Sequence, residues 1–152
     1  MTNASATDFR DRALLILSGR EHSVGELRQK LLAKGCSEEA AQGIIDDFLA
    51  QGYLDDVRFG IMLVKAKARQ GWGGQRIRNE LLRRGVRGDA LESVMRECSQ
   101  VLSSDSEYER AVEVVKRRLR SPNDVERVFR YLVSHGFSAS CARSVLEPYM
   151  QE

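Results

Sequence analysis

A chain of 152 residues, 42% hydrophobic and 30% charged, suits one ordinary domain or a few small helical units and is too apolar to be disordered. No apolar run approaches the ~18 residues that span a bilayer, and the polar start from Met1 to Asp8 lacks a charged-then-apolar leader pattern, so a cytoplasmic protein with no membrane partner is expected. The net charge of +2 conceals an asymmetry: residues 1–57 carry six Lys/Arg against ten Asp/Glu, residues 58–97 ten against four, and residues 98–152 eight against eight. Positive charge concentrated in the middle of a chain points to an anionic partner.

The first predicted helix runs from Phe9 to Leu17. Ser23-Val24-Gly25-Glu26 then reads as a capping box, with Ser23 and Glu26 bonding orphan amides at the start of a second helix. Leu27, Leu31 and Leu32 recur on that helix at spacings that share one side. Gly35 offers a left-handed stop, and Ser37 a cap for a third helix whose apolar positions are Ala41, Ile44, Ile45, Phe48 and Leu49. Gly52 ends it, and Asp55 is placed to cap a fourth helix over Val57 to Ala68. Gly43 and Gly60 fall inside helices, where each costs ~1 kcal/mol relative to Ala; close packing of a neighbour or plain tolerance would account for them. Beyond the turn at Gly71 to Gly74, Ile77, Leu81 and Leu82 mark a helix that stops at Gly85, and Asp89 to Glu97 forms the next. Polar Ser99 to Ser106 is the expected hinge. Glu107 to Leu119 shows Tyr108, Ala111, Val112, Val115 and Leu119 on one stripe, and Ser121-Pro122 offers a cap followed by proline at a first helical position.

Sliding the chain against itself exposes a period near 50 residues. Gly35, Gly85 and Gly136 correspond, as do Leu27, Ile77 and Val128, then Leu31, Leu81 and Leu132, then Leu32, Leu82 and Val133. After the glycines, Cys36, Val86 and Phe137 correspond, and Phe48, Cys98 and Tyr149 complete the series. The expectation is an all-α fold of nine helices: three tandem three-helix repeats over residues 8–54, 55–100 and 104–150, forming an elongated, curved helical array.

Catalytic chemistry finds little support. Cys36, Cys98 and Cys141 are odd in number and have no metal-ligand spacing, so they read as small buried hydrophobes. His22 and His135 adjoin interhelix turns without a ligand or nucleophile partner, and read as capping or exposed. The pairs Glu38-Glu39, Asp46-Asp47 and Asp55-Asp56 cannot converge on one cation alone, because neighbours on a helix diverge by about 100°. Gly71-Trp72-Gly73-Gly74 lacks the strand and the Gly-Lys-Ser/Thr of a phosphate loop. No metal, cofactor or enzymatic activity is expected. As a duplex reader, Asp89 to Glu97 would present Asp89, Glu92 and Glu97 to the major groove, which disfavours helix-turn-helix reading.

The basic stretch is more informative. From Arg58 to Gly88 there are nine cations and one carboxylate, Glu80. Lys65 and Arg69 share a helical face, Lys67 points elsewhere, and Arg76 and Arg83 lie opposite the Ile77/Leu81 stripe with Arg78 on a flank. Arg84 and Arg87 bracket the turn at Gly85. Phosphates or a carboxylate-rich groove would suit that density, against a merely solvated face. Trp72 can stack on a base, anchor a partner, or plug the space between two helices. Lys116, Arg117, Arg118 and Arg120 form a possible secondary patch, although cations there also suit a helix C-terminus.

Several of these segments resemble the RecX family. His22-Ser23, Glu26-Leu27-Arg28, Lys30-Leu31 and Lys34-Gly35 are similar to its opening pattern, and Gly52-Tyr53-Leu54-Asp55-Asp56 with Arg58-Phe59 to its first junction. Gly71-Trp72-Gly73, Arg76-Ile77-Arg78, Glu80-Leu81 and Arg84-Gly85-Val86 match it best; Tyr131-Leu132 and Gly136-Phe137-Ser138 resemble its close. Gly60 stands where the family usually has Ala, and His135 where Arg is common. The resemblance implies a non-catalytic regulator, expected to be monomeric, that binds RecA and its single-stranded DNA filament; bare single- or double-stranded DNA is a further candidate partner. It would lie along the filament groove and reduce strand exchange, ATP hydrolysis and stimulated repressor cleavage, in recombination, DNA repair and the SOS response. Its contact residues would be Lys65, Lys67, Arg69, Arg76, Arg78, Arg83, Arg84 and Arg87. A general nucleic-acid-binding helical repeat protein and a protein-only helical scaffold remain as alternatives.

Overall fold

The computed structural model describes residues 5–150; residues 1–4 of the polar start lie outside the described residues. Among the described residues there are nine α-helices and no strand: α1 (Ala6–Gly19), α2 (Val24–Ala33), α3 (Glu38–Gln51), α4 (Asp56–Arg69), α5 (Gly74–Arg83), α6 (Gly88–Glu97), α7 (Ser104–Arg118), α8 (Val125–Ser134) and α9 (Ala139–Leu146). Short 3₁₀ turns cover Pro122–Asp124 and Glu147–Tyr149.

Local chemistry fixes most of the boundaries. Ser23 and Glu26 form the capping box of α2, Ser37 Oγ accepts from Ala40 N, and Asp55 accepts from the amides of Val57 and Arg58. The chain leaves α3 through Gly52, at φ +78°. Pro122 opens a 3₁₀ turn rather than an α-helix, and α8 begins at Val125. Pro148, which has no N–H to continue the ladder, lies just beyond the end of α9. Tyr149, matched by register to buried Phe48 and Cys98, is therefore carried into the final turn and exposed.

Three apolar clusters form, each from three consecutive helices. Phe9 and Ala13 meet Leu27, Leu31, Ile45 and Phe48 in the first. Phe59 and Val64 meet Ile77, Leu81 and Val94 in the second, and Ala111 and Val115 meet Val128, Leu132 and Val145 in the third. Tyr108 and Leu49, expected on buried stripes, stand at the stripe edges and are exposed. Each fully buried Leu or Ile contributes about 1.5–3 kcal/mol by leaving water, so three small cores of this kind need contacts between them.

Those contacts recur at equivalent places. At the first, the start of α2 meets the α5–α6 turn: Ser23 Oγ donates to the Arg84 carbonyl, and Gly25 packs on Gly85. Asp56, at the head of α4, accepts from Val24 N. At the second, the start of α5 meets the α8–α9 turn. Gly73 N donates to His135 O at 2.8 Å and Gln75 N to Gly136 O at 3.0 Å, so carbonyls of another group stand in for the side-chain cap that α5 lacks. Backbone approaches backbone there: a Cβ on Gly73 would fall 2.2 Å from the Gly136 carbonyl carbon. The expected hinge is tied in at several points. Val101 and Leu102 pack on the second core, Ser103 caps α7, and Arg110 donates to the carbonyls of Val101 and Trp72.

Of Gly43 and Gly60, the two glycines expected inside helices, only Gly60 is packed. A Cβ there would lie 2.5 Å from Val94 Cγ2, whereas Gly43 faces open space.

Candidate functional site

The apolar face of α4, Phe59, Leu63, Val64 and Ala68, turns to the second core and leaves Lys65 and Arg69 exposed. They line one side of a cleft of about 510 Å³ against α7, where Arg110, Glu109 and Glu113 form part of the other side. Lys67 turns from this pair and sets its Nζ 4.5 Å from the Trp72 ring centroid. The Arg76 guanidinium lies 3.6 Å over the same ring. Trp72 is half-buried against the second core, and its main-chain carbonyl accepts from Arg110.

Arg76 has a structural role, although no carboxylate among the described residues neutralises its guanidinium, which lies over Trp72. Its backbone and Cβ press on Gly136, where an added Cβ would fall 2.3 Å away, so it belongs to the contact between the second and third groups. Arg84 is likewise structural: it donates to Glu80 at 2.8 Å and to Glu26 at 3.1 Å, joining the first and second groups. Arg83 reaches the same Glu80 through Nε and Nη2. Glu80 is buried, and the Arg83 bonds, helped by those of Arg84, hold its carboxyl at about 2 against the opposing effect of burial. Arg58 pairs with Glu21.

Lys65, Arg69, Arg78 and Arg87 are thus the exposed cations of this stretch without a carboxylate partner among the described residues. They do not converge on one spot. Arg78 opens toward a different cleft, lined also by Gly74, Met95, Glu107 and Val133, and Arg87 precedes α6.

In the third group, Arg117, Arg118 and Arg120 line a cavity of about 660 Å³ together with Gln70, Asp124, Arg127 and Tyr131. Lys116 is absent from that lining and pairs with Glu113 instead. Arg127 is not among the residues that charge clustering singles out, although the register that aligns Ile77 with Val128 places it at the position of Arg76.

His22 corrects an expectation. It is buried rather than exposed, with Nδ1 2.9 Å from the Arg20 carbonyl and Nε2 2.7 Å from Lys30 Nζ. Since Lys can only donate, the ring is neutral with its proton on Nδ1, and burial, with the Arg20 and Lys30 charges, pushes its pKa down despite the Arg20 carbonyl bond. His135 is half-buried and stacked on Tyr131. Cys36 and Cys98 are buried and Cys141 half-buried, all three as free thiols. No helix among the described residues is long and apolar enough to cross a membrane.

An all-helical chain of docked three-helix groups with a cation-rich middle defines a class of small helical proteins rather than a particular one. Comparison narrows it. Residues 10–48 match the family model described as RecX, first three-helix domain, and residues 55–95 that described as RecX, second three-helix domain. The regulatory protein RecX of Leptothrix cholodnii is 34% identical over 149 residues, covering 95% of this chain and 91% of its own. That of Trichlorobacter lovleyi is 32% identical over 143 residues, covering 89% and 91%. The crystal structure of RecX from Lactobacillus salivarius shares the fold, with a TM-score of 0.80 at 16% identity over 95% of this chain and 96% of that one. The chain belongs to the RecX family of regulatory proteins.

Proposed function

We propose that this chain is a non-catalytic, monomeric cytoplasmic regulator that binds RecA and its single-stranded DNA filament and limits filament growth or stability. Recombinase, ATPase and coprotease activities of RecA would fall as a result. The observation that carries this reading is the match of the two three-helix domains to the family, together with the four exposed, unneutralised cations Lys65, Arg69, Arg78 and Arg87 in the second. Those four are the proposed contacts with filament or DNA. Lys67 and Arg76 are taken up at the Trp72 ring, Arg84 joins the first and second groups, and Arg83 pairs with Glu80 on its own helix.

On this reading residues 8–54, 55–100 and 104–150 are three copies of one unit, stacked into an elongated, curved array. The support is the apolar register and the recurrence of one contact, the start of a second helix against the following group's turn. Such an array presents cations along its length and suits a helical groove.

The test is RecA ATP hydrolysis on single-stranded DNA, with this protein titrated well below the RecA concentration. Inhibition there is expected, because competition for DNA alone would need far more protein. A quadruple reversal of Lys65, Arg69, Arg78 and Arg87 to Glu should abolish it with helix content unchanged. Absence of inhibition at equal concentration, with tight binding to bare DNA, would instead favour a general nucleic-acid binder.

A further inference from the structure

The cavity beside the end of α7 carries more positive charge than its helix ends require. Four guanidiniums line it, those of Arg117, Arg118, Arg120 and Arg127, against the single carboxylate of Asp124. Asp124 is already engaged: Oδ2 accepts from the amides of Arg120 and Ser121, and Oδ1 from Arg127 at 2.9 Å. The carboxyl ends of α4 and α7 adjoin the cavity, each equivalent to about half a negative charge. Together with Asp124 they offset about two of the four positive charges, and Arg117 and Arg120 have no carboxylate partner among the described residues.

The lining also limits what the ligand can be. The Arg118 guanidinium lies 3.5 Å over the Tyr131 ring, and the His135 ring stacks on it at 3.7 Å. Two groups cannot share one face at those distances, so both faces of Tyr131 are taken and no aromatic platform is left for a base. Guanidiniums only donate, and with Asp124 engaged the Gln70 amide is the one side chain of the lining, Tyr131 aside, that can also accept. A donor-rich lining suits an acceptor-only ligand. Linked phosphates are of that kind, whereas a peptide carries an N–H at almost every residue.

We propose that this cavity is a phosphate site that takes consecutive linked phosphates, from a nucleic-acid backbone or from a free polyphosphate, without reading a base. Arg117 and Arg120 make the primary contacts, and Gln70 closes the site from the end of α4, so it bridges the second and third groups. The inference extends the proposed function, which rests on the second group, by adding an anion contact where that group meets the third; it is tested without RecA, so either can fail while the other stands.

The experiment compares the full chain with Arg117→Gln/Arg120→Gln and with Lys116→Gln. The latter removes one charge from the same helix end but not from the cavity. The probes are inorganic tripolyphosphate, by calorimetry, and a fluorescent oligothymidylate at several salt concentrations. The double variant should bind at least one of them ten-fold more weakly or worse. For the oligonucleotide, its salt slope should flatten by about 0.7 for each phosphate that is no longer neutralised. Lys116→Gln should change affinity less than two-fold. Weaker binding of the oligonucleotide identifies a strand backbone as the source, and weaker binding of tripolyphosphate alone identifies a free polyphosphate. Unchanged binding of both probes by the double variant, an equal weakening in Lys116→Gln, or displacement of the bound probe by a polyglutamate peptide at equal charge overturns the proposal. Unchanged circular dichroism of the variants separates loss of the site from loss of the fold.

Discussion

Replacing Glu80 with Gln keeps the shape of a buried side chain while removing the charge that Arg83 and Arg84 share. In the folded chain its carboxyl is held at about 2, from a usual 4.5. At 1.36 kcal/mol per pH unit the ceiling is about 3.4 kcal/mol. The Arg83 side chain is 68% exposed and solvent screens its share, so about 1–2 kcal/mol is the expected loss at pH 7. The sign follows from linkage. A carboxylate with a depressed folded pKa stabilises the protein fully above 4.5, and that stability fades as pH falls toward 2. At pH 3.5 a contribution of that size should keep only about 20–40% of its pH 7 value, so most of the gap between the two proteins closes. Urea unfolding of both proteins at pH 7 and 3.5, followed by helix circular dichroism and by Trp72 fluorescence, measures this. A gap that is the same at both pH values, or below about 0.5 kcal/mol at pH 7, refutes the role given to Arg83 and Arg84.

Three further outcomes are expected. Gly73→Ala drives a methyl into the backbone at Gly136 and Phe137 and breaks two hydrogen bonds between the start of α5 and the α8–α9 turn, for a loss of about 2–4 kcal/mol; hydrogen exchange should show the α8–α9 turn losing protection before the first group does. Gly60→Ala gains helix propensity of ~1 kcal/mol but collides with buried, β-branched Val94, so it should be net destabilising, and adding Val94→Ala should recover part of the loss in chemical denaturation. Because His22 is buried neutral with its pKa pushed down, the unfolded chain takes up a proton first as pH falls below 6.5; urea midpoints should drop from pH 7.5 to 5.5, and less steeply in His22→Asn.

Much of the fold is written in local signals. Ser23, Ser37 and Asp55 cap where their side chains predict, and Gly35, Gly52 and Gly85 take positive φ at helix ends. The i, i+3 and i+4 apolar spacings locate the cores because each helix buries one stripe. The departures have equally local causes: Pro148 cuts the last apolar series short of Tyr149, and Tyr108 and Leu49 stand at stripe edges. The site is legible in the sequence only as a density of charge. Glu26 and Arg84 are 58 positions apart, and nothing in their spacing announces an ion pair. Arg76 looks exposed on a helical wheel, since a wheel omits the Gly136 turn against its backbone and the Trp72 ring under its guanidinium. Periodicity gives the face a residue occupies; only packing gives the neighbour on that face.

The proposed repeat gives a physical reason for where the second basic site lies. In its register Ser23, Gly73 and Asp124 are equivalent, each preceding the middle helix of a group. Ser23 and Gly73 both meet a turn from the following group, one through its hydroxyl and the other through its bare backbone. Asp124 differs: its carboxylate turns back to cap Arg120 and Ser121 and to hold Arg127. The arginines that gather around it line a cavity instead of meeting a protein turn. A contact that two groups use for stacking is thereby replaced in the third by a donor-rich concavity. An anionic ligand there would supply acceptors to the third group, much as the carbonyls of His135 and Gly136 supply them to the second.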